Sequence, residues 1–132
     1  MTTPDDNIVL VRKLYDAMAA RDLDTILALV DPEVVIVQTP ELPWGGEHEG
    51  LEGLATFSGV LTETVNSQVE HDELFAAGNR VVQVGRTRGT VVASGRPFDI
   101  REVHVWTLRD AKVLRFEAYI DTPAMLATLA LS

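Results

Sequence analysis

Glu102 and His104 stand two residues apart in the segment Phe98-Asp99-Ile100-Arg101-Glu102-Val103-His104-Val105-Trp106-Thr107-Leu108. In a strand, alternate side chains share a face, so the carboxyl and the imidazole point the same way with Cα atoms roughly 6.5–7 Å apart. Their companions on that face are Phe98, Ile100, Trp106 and Leu108, all large and apolar. Two ionisable groups on an aromatic face are unusual in a core. Such a pair could move a proton to or from an enolisable substrate. Apolar surroundings raise the Glu pKa and lower the His pKa, while mutual attraction acts oppositely. The bland alternative is a satisfied polar pair that shapes the core, or Glu102 held by a nearby arginine.

Neighbouring strands must position this pair. Segments 68–76, 80–93, 97–108 and 112–121 read as a meander, divided by Ala77-Gly78-Asn79, Ser94-Gly95 and Arg109-Asp110-Ala111. In the last strand Leu114, Phe116, Ala118 and Ile120 form the apolar set. A three-residue turn at 109–111 predicts Trp106 opposite Leu114, His104 opposite Phe116 and Glu102 opposite Ala118. A two-residue turn at Ser94-Gly95 predicts Gly85 opposite His104, Gly89 opposite Ile100 and Gln83 opposite Trp106. Glycine inside a strand marks the close approach of a ligand or another backbone. This register therefore predicts a hollow beside His104, floored by Gly85 and walled by Trp106, Phe116 and Phe98, a flat seat for a hydrophobic ligand.

Helices precede and close the sheet. Thr3-Pro4-Asp5-Asp6 is a helix start, with Ile8, Val11, Leu14/Tyr15 and Met18 at helical spacing behind it. Asp22 caps a short second helix, and Asp31-Pro32 stops it. Val34 to Thr39 is a β-branched strand. Pro40 to Gly50 reads as a loop, in which Trp44 and His48 could serve as a lid. A third helix buries Leu54, Phe57, Leu61 and Val65. A last helix opens at Thr122-Pro123. Tyr15 competes with Leu14 for the inward position on the first helix. His71, alternating with Val69 and Glu73, reads as structural, and so does Asp121. Helices segregated from a meander predict an α+β fold, a curved antiparallel sheet with helices packed on one face.

Composition narrows the function. The chain has 132 residues, 46% hydrophobic and 23% charged, which suits one globular domain over 1–132. Lys+Arg number 11 against 20 Asp+Glu, for a net charge of −9. That balance argues against nucleic acid and against an anionic membrane surface. There is no cysteine, which excludes thiolate nucleophiles and Cys-based metal sites. Metal-binding His spacing, a nucleophile elbow and nucleotide-binding glycine motifs are absent, so no metal and no cofactor are expected. The uncharged stretch Thr122 to Ser132 is too short to span a bilayer, and the N-terminus carries no secretory pattern. A cytoplasmic protein is the expectation.

Several segments together carry a family resemblance. They are Asp22-Leu23-Asp24 opening the second helix, Leu42-Pro43-Trp44-Gly45-Gly46 and Glu49-Gly50 before the third, and Val103-His104-Val105-Trp106 followed by Glu117-Ala118-Tyr119-Ile120-Asp121. With the element order, they resemble the SnoaL-like branch of the NTF2-like (cystatin-like) superfamily across essentially the whole chain. The resemblance implies a cone with helices on the concave face of the sheet. It also implies a homodimer through the outer face. That fold hosts ketosteroid isomerases, polyketide cyclases, epoxide hydrolases and non-enzymatic binders. By position, the isomerase base aspartate falls at Thr39, its oxyanion tyrosine at Leu14 and its protonated acid at His104. The cyclase histidine falls at His104 and the cyclase aspartate at Ala118. Glu102-x-His104 has the spacing of the epoxide hydrolase Arg-x-Asp pair.

The resulting expectation is a cofactor-independent enzyme that transfers protons, as an aldol cyclase or an isomerase does, on a small hydrophobic carbonyl-bearing metabolite. His104 is its acid/base and Glu102 the orienting partner or second acid/base. Trp106, Phe116, Phe98, Tyr15, Trp44, Thr39 and Gly85 are the candidate ligand-binding residues. The alternatives are a non-catalytic binder of a hydrophobic molecule and an interaction module using Arg86, Arg88, Arg101, Val103 and Val105 on the outer sheet face.

Overall fold

The structure, a computed structural model, describes residues 3–130. Met1, Thr2, Leu131 and Ser132, the outermost residues of the terminal stretches read above, lie outside the described residues. The element order is α1 (Pro4–Ala19), α2 (Leu23–Leu29), β1 (Val30–Gln38), β2 (Gly46–Glu49), α3 (Gly50–Thr64), β3 (Val65–Ala77), β4 (Arg80–Val91), β5 (Pro97–Arg109), β6 (Lys112–Ile120) and α4 (Thr122–Ala130). Local chemistry sets the helix starts. Thr3 and Asp6 form a reciprocal capping box, with bonds of 3.0 and 3.1 Å. Asp22 accepts from the Thr25 N–H and caps α2. At α4 the capping side chain is Asp121, which accepts from the Ala124 N–H, and Thr122 is already helical.

The six strands form one sheet in the order β2-β1-β6-β5-β4-β3. It is a curved mixed sheet, because β1 runs parallel to β6 while every other pair is antiparallel. This corrects the all-antiparallel expectation. The parallel pair follows from topology, since β1 inserts at the edge of the later meander. The stretch read as a loop from Pro40 to Gly50 contains β2, which pairs with the end of β1. Helix α1 packs against β3 and β4, and α3 against β1, β2 and β3. Together they enclose an α+β cone, as expected.

Two turns shift the register. Val91 N–H donates to Arg96 O, so four residues rather than two cross between β4 and β5. The sheet slides by two positions, and Gln83, not Gly85, lies opposite His104. An even slide keeps every side chain on its expected face. At the next turn Asp110 and Ala111 both have positive φ, 52° and 61°. They form a two-residue hairpin between Arg109 and Lys112. A bulge at Leu114 then restores the phase, so Val113 is buried in place of the expected Leu114. Trp106 lies opposite Phe116, His104 opposite Ala118 and Glu102 opposite Ile120.

No helix among the described residues is long and apolar enough to cross a membrane.

Candidate active site

Burial along β5 alternates as the strand period demands. Phe98, Ile100, Glu102, His104, Trp106 and Leu108 are buried, and the residues between them are not. The helices stand off from this face and leave a cavity of about 820 Å³. Glu102, His104, Trp106, Phe116, Tyr15 and Trp44 all border it. Phe57 of α3 adds a further aromatic wall, 6.4 Å from the Phe116 ring, and Trp106 lies 4.3 Å from Phe116. Asp16, Arg21, Asn66 and Gln68 give the cavity polar lining as well, with Arg21 donating to Asn66 across 3.4 Å.

At the polar centre, five side chains connect. Trp106 Nε1–H donates to the Tyr15 hydroxyl at 2.8 Å. The Tyr15 hydroxyl lies 2.7 Å from His104 Nδ1. His104 Nε2 stands 3.3 Å from Glu102 Oε2. Gln83 Nε2 donates to Glu102 Oε2 at 2.7 Å and lies 3.4 Å from His104 Nδ1. Gln83 is wholly buried on β4, and its Oε1 has no partner.

Burial governs the protonation states. It pushes the Glu102 carboxyl up to about 7, against the opposing bond from Gln83. It pushes the His104 imidazole down to about 3, helped by repulsion from His71. The Tyr15 hydroxyl is pushed well above its ordinary value by the same desolvation. Near neutral pH, then, His104 is uncharged and Glu102 sits at its titration point. Two neighbouring groups with pKa values shifted in opposite directions can divide acid–base work between them.

Three candidate positions fall elsewhere. Gly85 does not floor the cavity. A Cβ there would collide with the Glu70 carbonyl oxygen and Gln83 Oε1, so the glycine accommodates the close backbone of β3. Phe98 is buried on the expected face but packs opposite Gly89, away from the cavity lining. Thr39 lies beyond β1 and bonds Glu41. The inward residue at that end is Gln38, whose Oε1 accepts from Trp44 Nε1 at 2.9 Å. His48, the other residue of the expected lid, lies in β2 with its Nε2 near the Trp44 and Gly45 carbonyls, and it does not border the cavity.

Two residues that border the cavity, Gln38 and His71, and Gln83 in the polar network behind it were not among the expected site residues. Gln83 could have been found, since a polar residue between Val81 and Gly85 faces inward by alternation. Gln38 follows by the same rule from Val34 and Ile36. His71 was hidden by a bulge at Asp72, which leaves His71 on the cavity side and turns Glu73 outward. Its ring meets Tyr15 edge-on at 4.4 Å. Among the described residues no cluster of three or more His, Asp or Glu could hold a metal ion.

Known proteins resemble the whole chain. An NTF2-like protein from Burkholderia xenovorans LB400 is 29% identical with a TM-score of 0.88, covering 98% of this chain and 99% of its own. TerC, co-crystallised with polyporic acid, is 27% identical with a TM-score of 0.86, over 97% of this chain and 99% of its own. A candidate SnoaL-like polyketide cyclase from Jannaschia sp. CCS1 is 22% identical with a TM-score of 0.86, over 100% and 98%, and shares the fold. No curated protein matches the sequence. The SnoaL-like domain family matches residues 11–116, and the chain belongs to that family.

Proposed function

We propose that the protein is a cofactor-independent enzyme that transfers protons on a small hydrophobic carbonyl compound, as aldol cyclases and isomerases do. One observation carries this reading: a buried carboxyl poised near pH 7 stands 3.3 Å from a neutral imidazole in an aromatic cavity. Glu102 as carboxylate takes a proton from the carbon beside the carbonyl. The enolate oxygen accepts a hydrogen bond from His104 Nε2–H, which costs little reorganisation in a dry site. Where a double bond is conjugated with the enolate, Glu102, now a carboxylic acid, returns the proton to the far carbon of the dienolate, which shifts the double bond and gives isomerisation. Alternatively the enolate carbon attacks a second carbonyl of the same molecule, closing a ring, and the new alkoxide takes the proton. The geometry thus favours Glu102 over His104 as the group that moves the proton. TerC, which is 27% identical and was co-crystallised with polyporic acid, supports a small organic molecule as the kind of ligand to test.

The experiment is deuterium exchange at the α-carbon of 2-tetralone, followed by proton NMR in D₂O. Wild type is expected to exceed the buffer rate, and Glu102→Gln to fall by about 10²–10⁴-fold, the usual size of a general acid–base contribution. Exchange that is undiminished in Glu102→Gln overturns the assignment. Binding without exchange supports the carrier reading instead.

We also propose a homodimer through the outer sheet face, as the family resemblance implies. There Val82 and Val105 pair across strands, as do Val84 and Val103, with exposed Phe75 and Tyr119 beside them.

A further inference from the structure

We infer that Tyr15 is a positioning residue that locks His104 in a single neutral tautomer, with its proton on Nε2, so that the imidazole meets the substrate as a hydrogen-bond donor. This rests on the proton-transfer reading above and assigns the oxygen of an enolisable carbonyl as the group that the imidazole recognises.

An indole nitrogen can only donate, so Trp106 fixes the Tyr15 oxygen as an acceptor across 2.8 Å. The Tyr15 proton must then go elsewhere. Gln83 also acts on the hydroxyl as a donor, and the acceptor within reach of the Tyr15 proton is His104 Nδ1, at 2.7 Å in a buried setting. A hydroxyl proton left unmatched there would carry its full desolvation penalty. Gln83 Nε2, also a donor, faces the same Nδ1 from 3.4 Å. Two donors therefore address Nδ1, which makes it the acceptor. A neutral imidazole has one proton, and it must reside on Nε2. That nitrogen makes no hydrogen bond within the described protein beyond its 3.3 Å approach to Glu102.

The surrounding charges act in the same direction. Among residues bordering the cavity, the titratable or charged groups are Glu102 on β5, His71 on β3, Asp16 on α1 and Arg21 just after it, besides the Tyr15–His104 pair itself. Elements α2, α3, β1, β6 and α4 bring only uncharged residues to the cavity. The carboxylate beside Nε2 favours a proton on that nitrogen. His71 stands against the far side of Tyr15 and opposes a second proton on His104.

The test is a ¹⁵N–¹H correlation spectrum of the imidazole rings at pH 8, with Glu102 ionised and no ligand present. Wild-type His104 is expected as a pure Nε2–H tautomer. Tyr15→Phe is expected to lose that purity, with an Nδ1–H signal emerging. Trp106→Phe leaves Tyr15 in place but frees its oxygen from the indole, and it is expected to show the same loss. A wild-type proton on Nδ1 overturns the inference, and so does a Tyr15→Phe spectrum that matches wild type. If Tyr15→Phe does not fold, wild type and Trp106→Phe decide between these outcomes. Because no substrate is involved, a protein that fails the tetralone assay still reports its tautomer, so the two readings fail separately.

Discussion

Tyr15 and His104 lie 89 positions apart in the chain, yet their polar atoms meet at 2.7 Å inside the cone. Helix α1 and strand β5 share little sequence logic, and only the closed fold joins them. In the proposed mechanism their contact makes the imidazole a donor and leaves proton transfer to Glu102. That division of labour has a kinetic signature.

The exchange rate should rise with pH through about 7, as the Glu102 carboxyl ionises, and then level off. His104 is held near 3 and should add no second limb between pH 5 and 9. His104→Ala should lower the rate by roughly 10²–10³-fold, the size of a lost oxyanion donor, without moving the midpoint. A pH–rate profile of the variant checks this. A midpoint that disappears with His104 would make the imidazole the base.

Stability should respond to Glu102 with a definite sign. Its folded pKa, about 7, lies above the ordinary 4.5, so the native state binds the extra proton between those values. Stability from this group is full below pH 4.5 and is lost as pH rises toward 7. His104 acts in the opposite sense, losing stability as pH falls below 6.5 toward 3. Between 4.5 and 6.5 the two nearly cancel. Glu102→Gln removes one side of this balance. Relative to wild type, the variant should gain about 3 kcal/mol between pH 4 and pH 7. Urea titrations of both proteins across that range measure the difference, and a flat difference would place the carboxyl in water.

Gly85→Ala should destabilise the fold by roughly 1–3 kcal/mol through overpacking. The new methyl collides with the Glu70 carbonyl oxygen and Gln83 Oε1. Were the glycine a cavity floor, the methyl would be accommodated and only ligand size would change. Thermal unfolding separates the two cases.

Ala111→Gly should stabilise by roughly 1 kcal/mol, because Ala111 holds a left-handed φ of 61° in a two-residue turn that favours glycine at its second position. Circular dichroism melts check the increase.

Val105→Glu should dissociate the proposed dimer. It places a charge in the middle of the outer face, directly opposite Glu117, which is already acidic. Sedimentation velocity should move from dimer to monomer. A monomeric wild type overturns the assembly.

Much of this was readable in one dimension. Strand alternation in 97–108 assigns Glu102, His104 and Trp106 to one buried face, because side-chain direction has a period of two. The caps at Thr3 and Asp22 are equally local. The register was not local. Turn length between Val91 and Arg96, and the bulges at Asp72 and Leu114, depend on how each strand matches its neighbour's curvature, and they moved Gly85 away from His104 and brought His71 into the cavity. Tertiary structure alone decided how deeply Glu102 and His104 are buried, and with that the direction in which each pKa moves. Adjacent residues on one strand experience burial set by helices from other parts of the chain, and desolvation depends on that enclosure rather than on sequence spacing.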